Sequence, residues 1–168
     1  MDPEDAGPAP EARPPLLEDL VSLCRDLNRA GARYVVIGGM AVIQAGFGRA
    51  TNDIDLLIDA SPDNQERVRR ALMALPDQAI RDMADDDLER YAVVRVADEI
   101  VVDLMRSACG IAWPEASGMV SEVEIEGVRI PFANPRLLWL TKDTLRDKDK
   151  VDRAFLAQLL AARGESVD

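Results

Sequence analysis

The segment from Gly38 to Ile58 constrains this chain more than any other, because within 21 residues it calls for a strand ending, a tight turn, a short helix and a second strand. Tyr34 to Ile37 is an apolar run that predicts a strand, and Gly38 with Gly39 closes it in a turn. Met40 to Ala45 then starts a helix whose exposed N–H groups suit an anion, and Gly46 breaks it. From Asp53 to Asp59 the composition is strand-forming again. In a strand, Asp53 and Asp55 point to one face while Ile54, Leu56 and Ile58 point to the other.

Two like charges on one wall of a half-buried strand are costly unless a cation sits between them, and hard divalent ions such as Mg²⁺ take carboxylate oxygens. The plainer alternative is that both aspartates form the polar face of an edge strand. A third carboxylate stands in a similar setting. Glu99 to Met105 is strand-like, follows a strand at Tyr91 to Val96 through a turn at Ala97 and Asp98, and carries Asp103 as its interior charge. Pairing with Arg95 or Arg106 would account for that aspartate without a metal.

A Gly-Gly turn followed by Asp, a hydrophobic residue and Asp resembles the signature of the minimal nucleotidyltransferases of the DNA polymerase β-like superfamily, and Gly38, Gly39, Asp53 and Asp55 match it. The third acidic position of that superfamily falls on Asp103. The resemblance extends through Ala41, Gly46, Arg49 and Thr51, whose spacing is similar to that of uncharacterised nucleotidyltransferases grouped with abortive-infection toxins. It ends in a C-terminal pattern formed by Lys142, Arg146, Lys148, Asp149 and Asp152. In all it covers about residues 33 to 156.

The resemblance implies an α/β nucleotidyltransferase fold, with a small mixed sheet flanked by helices and the carboxylates at one edge of a cleft. It implies Mg²⁺ or Mn²⁺ held by Asp53, Asp55 and Asp103, which are also the expected catalytic residues. An NTP such as ATP would bind through Gly38, Gly39, Arg49, Thr51, Lys142, Arg146 and Lys148, and an NMP would pass to an acceptor hydroxyl on an RNA end, a protein or a small molecule. A toxin role with an antitoxin partner belongs to the same implication. One departure is Gly39, where many active members carry serine. Residue chemistry leaves other readings open: Arg49 can bridge a triphosphate or pair with Asp53, and Thr51 can pin the loop to backbone. Lys142, Arg146, Asp149 and Arg153 fall on one face of a continuous helix, with Asp149 and Arg153 as an i,i+4 pair, so that stretch also reads as a solvated, internally paired helix.

Composition narrows the function classes. The chain has no histidine, which excludes a Ser-His-Asp triad, a Cys-His pair and histidine-ligated zinc. A net charge of −11 speaks against long duplex DNA as a partner, although Lys142 to Arg153 holds five basic residues against four acidic ones. Five of the ten prolines lie in Met1 to Pro15, which reads as a disordered leader to one domain over residues 16–163 with a tail at 164–168. Without a signal-peptide core, a membrane span or a disulfide framework, the expected compartment is the cytoplasm. Cys24 is expected in the core and Cys109 in a loop. The expected elements are helix 15–30, strand 33–37, helix 39–46, strand 53–59, a helix from Pro62 capped by Ser61, a short helix at Asp86 to Arg90, the strand pair within 91–105, and a hairpin of Val120 to Ile125 with Val128 to Phe132, after which Asn134 and Pro135 restart helix. The reading is a divalent-metal nucleotidyltransferase; its alternatives are a non-catalytic nucleotide-binding or protein-interaction module on the same fold, and an acidic adaptor.

Overall fold

Residues 12–167 are described by the computed structural model. The first helix, α1 (Leu17–Arg29), presents Leu20, Leu23, Cys24 and Leu27 at helical spacing, and all four are buried. It leads to β1 (Tyr34–Ile37), α2 (Gly38–Gln44) and β2 (Asp53–Ile58). Helix α3 (Pro62–Leu72) starts at Ser61, whose hydroxyl accepts the Asn64 N–H at 3.3 Å. A 3-10 turn (Ala79–Asp82) and α4 (Asp87–Arg90) precede the hairpin of β3 (Val94–Ala97) and β4 (Val101–Met105). A two-residue ribbon, β5 (Ser107–Ala108) with β6 (Ile111–Ala112), and α5 (Trp113–Ala116) follow. The chain closes with β7 (Val120–Ile125), β8 (Val128–Ala133), α6 (Pro135–Thr141) and α7 (Asp147–Ala162).

The larger sheet has six strands in the order β3-β4-β2-β1-β8-β7. It is mixed: β2 runs parallel to β4 and β1 parallel to β8, while β1/β2, β3/β4 and β7/β8 are antiparallel. Strand alternation turns Ile54, Leu56 and Ile58 to one face, where each is fully buried, and leaves Asp53 and Asp55 on the other. Helix α1 packs on α3 and on β8, and the Tyr34 hydroxyl of β1 donates to Asn28 Oδ1 of α1 at 2.8 Å. The expected α/β architecture, a mixed sheet flanked by helices, is the observed one. Among the described residues no helix is long and apolar enough to cross a membrane.

Three expectations need correction. The β3–β4 turn lies at Asp98 to Ile100 and not at Ala97 and Asp98, so Ala97 pairs with Val101 and Arg95 with Asp103. Tertiary anchoring moves it: the buried Asp98 carboxylate accepts N–H groups of Asp77, Ala79 and Glu99 at 2.9, 2.9 and 2.8 Å. The strand foreseen from Tyr91 starts only at Val94. The continuous helix through Lys142 to Arg153 is broken, with Lys142 ending α6 and Arg146 opening α7, because Thr144 turns inward to donate to Asp149 at 2.6 Å.

Of the leader, residues 1–11 lie outside the described residues. Its last part is in contact with the domain: the Arg13 N–H donates to the Glu99 carbonyl at 3.0 Å, its guanidinium grips both oxygens of Asp19 at 2.7 Å each, and Pro15 is buried. At the other end, Arg136 donates to the Ser166 carbonyl.

Candidate active site

The turn between β1 and α2 sits against the carboxylates. Gly38 has φ +70°, a conformation that a side chain disfavours, and a Cβ there would lie 1.9 Å from Asp55 Oδ2. At Gly39 a Cβ would meet Thr51 Oγ1 at 2.5 Å and Arg49 Nη1 at 3.2 Å. Both glycines are therefore dictated by close approach, the first to Asp55 and the second to the loop before β2. Serine at position 39 would collide with Thr51 unless that loop moved. Thr51 Oγ1 donates to the Asp53 carbonyl at 3.1 Å, which pins the loop as the sequence suggests.

Parallel pairing of β2 with β4 sets Asp55 opposite Asp103, and antiparallel pairing of β4 with β3 sets Arg95 opposite Asp103. Asp53 lies two residues before Asp55 on the same face. Asp53, Asp55 and Asp103 each offer a carboxylate oxygen, and these oxygens lie within 4.8 Å of one another. Burial first, and then the charges of Asp53 and Asp103, raise the Asp55 carboxyl to about 7, against the pull of Lys142 and Lys148. Asp53 is raised as well, by burial and by Asp103, with Lys148 opposing.

Arg95 is the counter-charge on this wall. Its Nε and Nη2 donate to Asp103 Oδ1 and Oδ2, each at 3.0 Å, and Nη2 also reaches Asp53 Oδ2 at 3.3 Å. Of the two partners open to Asp103 from sequence, Arg95 is thus the one used. The Asp103 side chain is only 6% exposed, whereas that of Arg95 is 61% exposed.

A cleft of about 360 Å³ beside the carboxylates is also lined by Lys142, Arg146 and Lys148 of the α6–α7 corner and by Val93, Met105 and Ala108. These cations differ in freedom. Lys142 Nζ is buried between Asp149 Oδ1 at 3.2 Å and Asp152 Oδ2 at 2.9 Å. Arg146 is 62% exposed, at 3.8 Å from Asp149, and Lys148 is exposed. Although burial alone would raise the Asp149 carboxyl, the Thr144 hydroxyl together with Lys142 and Arg146 holds it below the usual carboxylate range.

Arg49 turns away from the carboxylates. Its Nε and Nη2 donate to Asp152 Oδ1 and Oδ2 at 2.9 and 2.8 Å, across 103 residues of chain, and Asp152 is fully buried. Neither Asp53 nor the open cleft is its partner. The expected Asp149–Arg153 pair is also absent among the described contacts: Arg153 lies 3.4 Å from Asp143, donates to the Trp139 carbonyl at 3.1 Å and stacks on the Trp139 ring at 3.8 Å. The structure thus brings Asp53, Asp55, Asp103, Gly38, Lys142, Arg146 and Lys148 to one cleft and uses Arg49 and Thr51 to hold the adjoining loop. Sequence reasoning left Asp152 without a role of its own, and only its place in the C-terminal pattern signalled it.

The chain matches no family model and no curated protein. Among solved structures it is similar to the crystal structure of an antigenic nucleotidyltransferase-like protein from Paracoccidioides brasiliensis, with a TM-score of 0.52 and 16% identity over 85% of this chain and 76% of that one. The fold is nucleotidyltransferase-like. At that identity the likeness carries the architecture, and the chemistry has to be read from this chain's own residues. Three convergent carboxylates form a hard, all-oxygen donor set without nitrogen or sulfur, and their mutual repulsion falls when a dication enters, so they fit an ion of the Mg²⁺ or Mn²⁺ type.

Proposed function

We propose that this chain is a divalent-metal-dependent nucleotidyltransferase. It would move an NMP from an NTP to an acceptor hydroxyl with release of pyrophosphate. The observation that carries the proposal is the convergence of Asp53, Asp55 and Asp103 beside the Gly38–Gly39 turn, in a fold of the matching kind. Asp53 and Asp55, with Asp103, hold the cation, which when bound polarises the α-phosphate and stabilises charge on the attacking and leaving oxygens. Gly38 and Gly39 let the β1–α2 turn press against Asp55 and the loop at Thr51, which sets that turn beside the carboxylates that the terminal phosphates approach. Arg146 and Lys148 at the cleft mouth contact those phosphates, and Lys142, tied between Asp149 and Asp152, fixes the corner that carries them. Asp103 faces the acceptor and takes its hydroxyl proton. The acceptor oxygen then bonds to the α-phosphorus, and the bond from that phosphorus to the bridging oxygen breaks.

The acceptor in this proposal is a short RNA end, a protein or a small molecule. A toxin role with an antitoxin is part of the same proposal. A second reading, a non-catalytic nucleotide-binding or protein-interaction module, is favoured by the Arg95 grip on both oxygens of Asp103. Incubation with each α-labelled NTP, Mg²⁺ or Mn²⁺, and cell extract separates them. Transfer is expected with wild type and not with Asp53→Asn, Asp55→Asn or Asp103→Asn. Nucleotide binding without transfer identifies the module, and growth arrest on expression of wild type but not of Asp55→Asn identifies the toxin.

A further inference from the structure

Arg95 and a cation would draw on the same carboxylate charge of Asp103. Both of its oxygens accept from one guanidinium at 3.0 Å, and the same group extends to Asp53 Oδ2 at 3.3 Å, so Arg95 spans the two carboxylates that a bridging cation would join. A guanidinium and a dication placed a few ångströms apart repel in this half-buried setting. Among the described residues the guanidinium is paired with Asp103 and Asp53, and its side chain is 61% exposed. It also stands on β3, an edge strand paired only with β4, so the side chain can swing outward without disturbing a packed neighbour.

We propose that Arg95 is an exchangeable counter-ion that occupies the Asp53–Asp103 cation position in the metal-free protein and is drawn off to the polyphosphate of an incoming nucleoside triphosphate. Arg95 and the cation compete for the same oxygens, and the released guanidinium matches phosphate in charge and in its planar fork of donors. Cation and nucleotide therefore bind cooperatively, with Arg95 as the coupling element. Asp55, whose carboxylate lies against Gly38, acts on Arg95 through its charge, whereas the hydrogen bonds to be exchanged are those to Asp103 and Asp53. The identity of the anion rests on the nucleotidyltransferase reading, whereas the competition for Asp103 rests on geometry alone.

Calorimetric titration of Mn²⁺ into wild type, Arg95→Ala and Arg95→Lys, with and without a non-hydrolysable α,β-methylene NTP, tests this. If Arg95 is disengaged in about a tenth of wild-type molecules, Arg95→Ala binds Mn²⁺ about tenfold more tightly without nucleotide, and Arg95→Lys falls between the two. The analogue tightens Mn²⁺ binding to wild type and loses most of that effect in Arg95→Ala. Melting gives an independent readout, since Arg95→Ala without metal leaves Asp103 buried and unpaired: it melts below wild type, and Mn²⁺ raises its melting temperature by more than that of wild type. If wild type binds Mn²⁺ and Arg95→Ala binds it equally or more weakly, the exchange is overturned while the metal site stands. Absence of Mn²⁺ binding to all three proteins overturns both.

Discussion

Two clusters of charge adjoin the cleft, and they are built on opposite rules. The α6–α7 corner holds Arg49, Lys142, Asp149 and Asp152, two cations against two anions, with Asp152 fully buried and touched by both cations. Thr144 supplies a further hydrogen bond, and among the described residues no buried side-chain polar atom lacks a partner. The sheet wall gathers Asp53, Asp55 and Asp103, and their salt-bridge partner among the described residues is the mostly exposed Arg95. One cluster is balanced and ties the C-terminal helix to the loop before β2. The other is left with excess negative charge, and burial together with that charge raises the Asp55 carboxyl to about 7. A protein able to balance four clustered charges, three of them buried, and leaving three carboxylates crowded on the sheet points to a function for the second.

The comparison predicts opposite signs for neutralising an aspartate on either wall. The largest effect is expected for Asp152→Ala, which strands the Arg49 guanidinium and removes one of two partners from Lys142. Breaking a buried charge network in this way costs about 3 to 5 kcal/mol, read by denaturant unfolding. Asp152→Asn should be milder, because its amide oxygen can still accept from one cation.

On the sheet wall Asp55→Asn should stabilise the metal-free protein. The folded Asp55 carboxyl, at about 7, lies above its unfolded value of 3.8, so between those limits the native state holds a proton that the unfolded chain has released. Stability of the metal-free protein therefore falls as pH rises through about 4 to 7 and is flat beyond. Asparagine removes that slope and adds about 2 kcal/mol at neutral pH. Thermal unfolding at several pH values checks this, and a variant less stable than wild type at pH 7.5 would place Asp55 among the structurally paired carboxylates.

The smallest change in stability is expected for Arg146→Ala and Lys148→Ala, since both side chains are exposed. Each should shift stability by less than about 0.5 kcal/mol while lowering NTP affinity roughly tenfold through the loss of a charge-assisted contact. Affinity unchanged in both variants would remove the α7 entrance from the nucleotide site.

The two walls also differ in how far sequence reveals them. Asp53 and Asp55 are legible because strand alternation is a local rule, and Asp103 because a lone charge in an apolar run stands out. Arg95 is only half legible: its pairing with Asp103 depends on a hairpin register that the distant backbone N–H groups of Asp77 and Ala79 fix through Asp98. The balanced cluster is nearly invisible beforehand. Arg49 and Asp152 are 103 residues apart, and the break at Lys142 to Arg146 exists because Asp149 draws Lys142 and Thr144 inward, against a local pattern that favours one long helix.

The central claim is that the crowded carboxylates are kept for a divalent cation, and the change in melting temperature on adding Mn²⁺ to wild type and to Asp55→Asn tests it most directly. With Mn²⁺ at about 100 times its dissociation constant, binding contributes about 2.7 kcal/mol, so wild type should melt about 5 to 10 °C higher. Asp55→Asn should start higher without metal and gain little. An unmoved wild type, or an equal rise in both proteins, would contradict the claim.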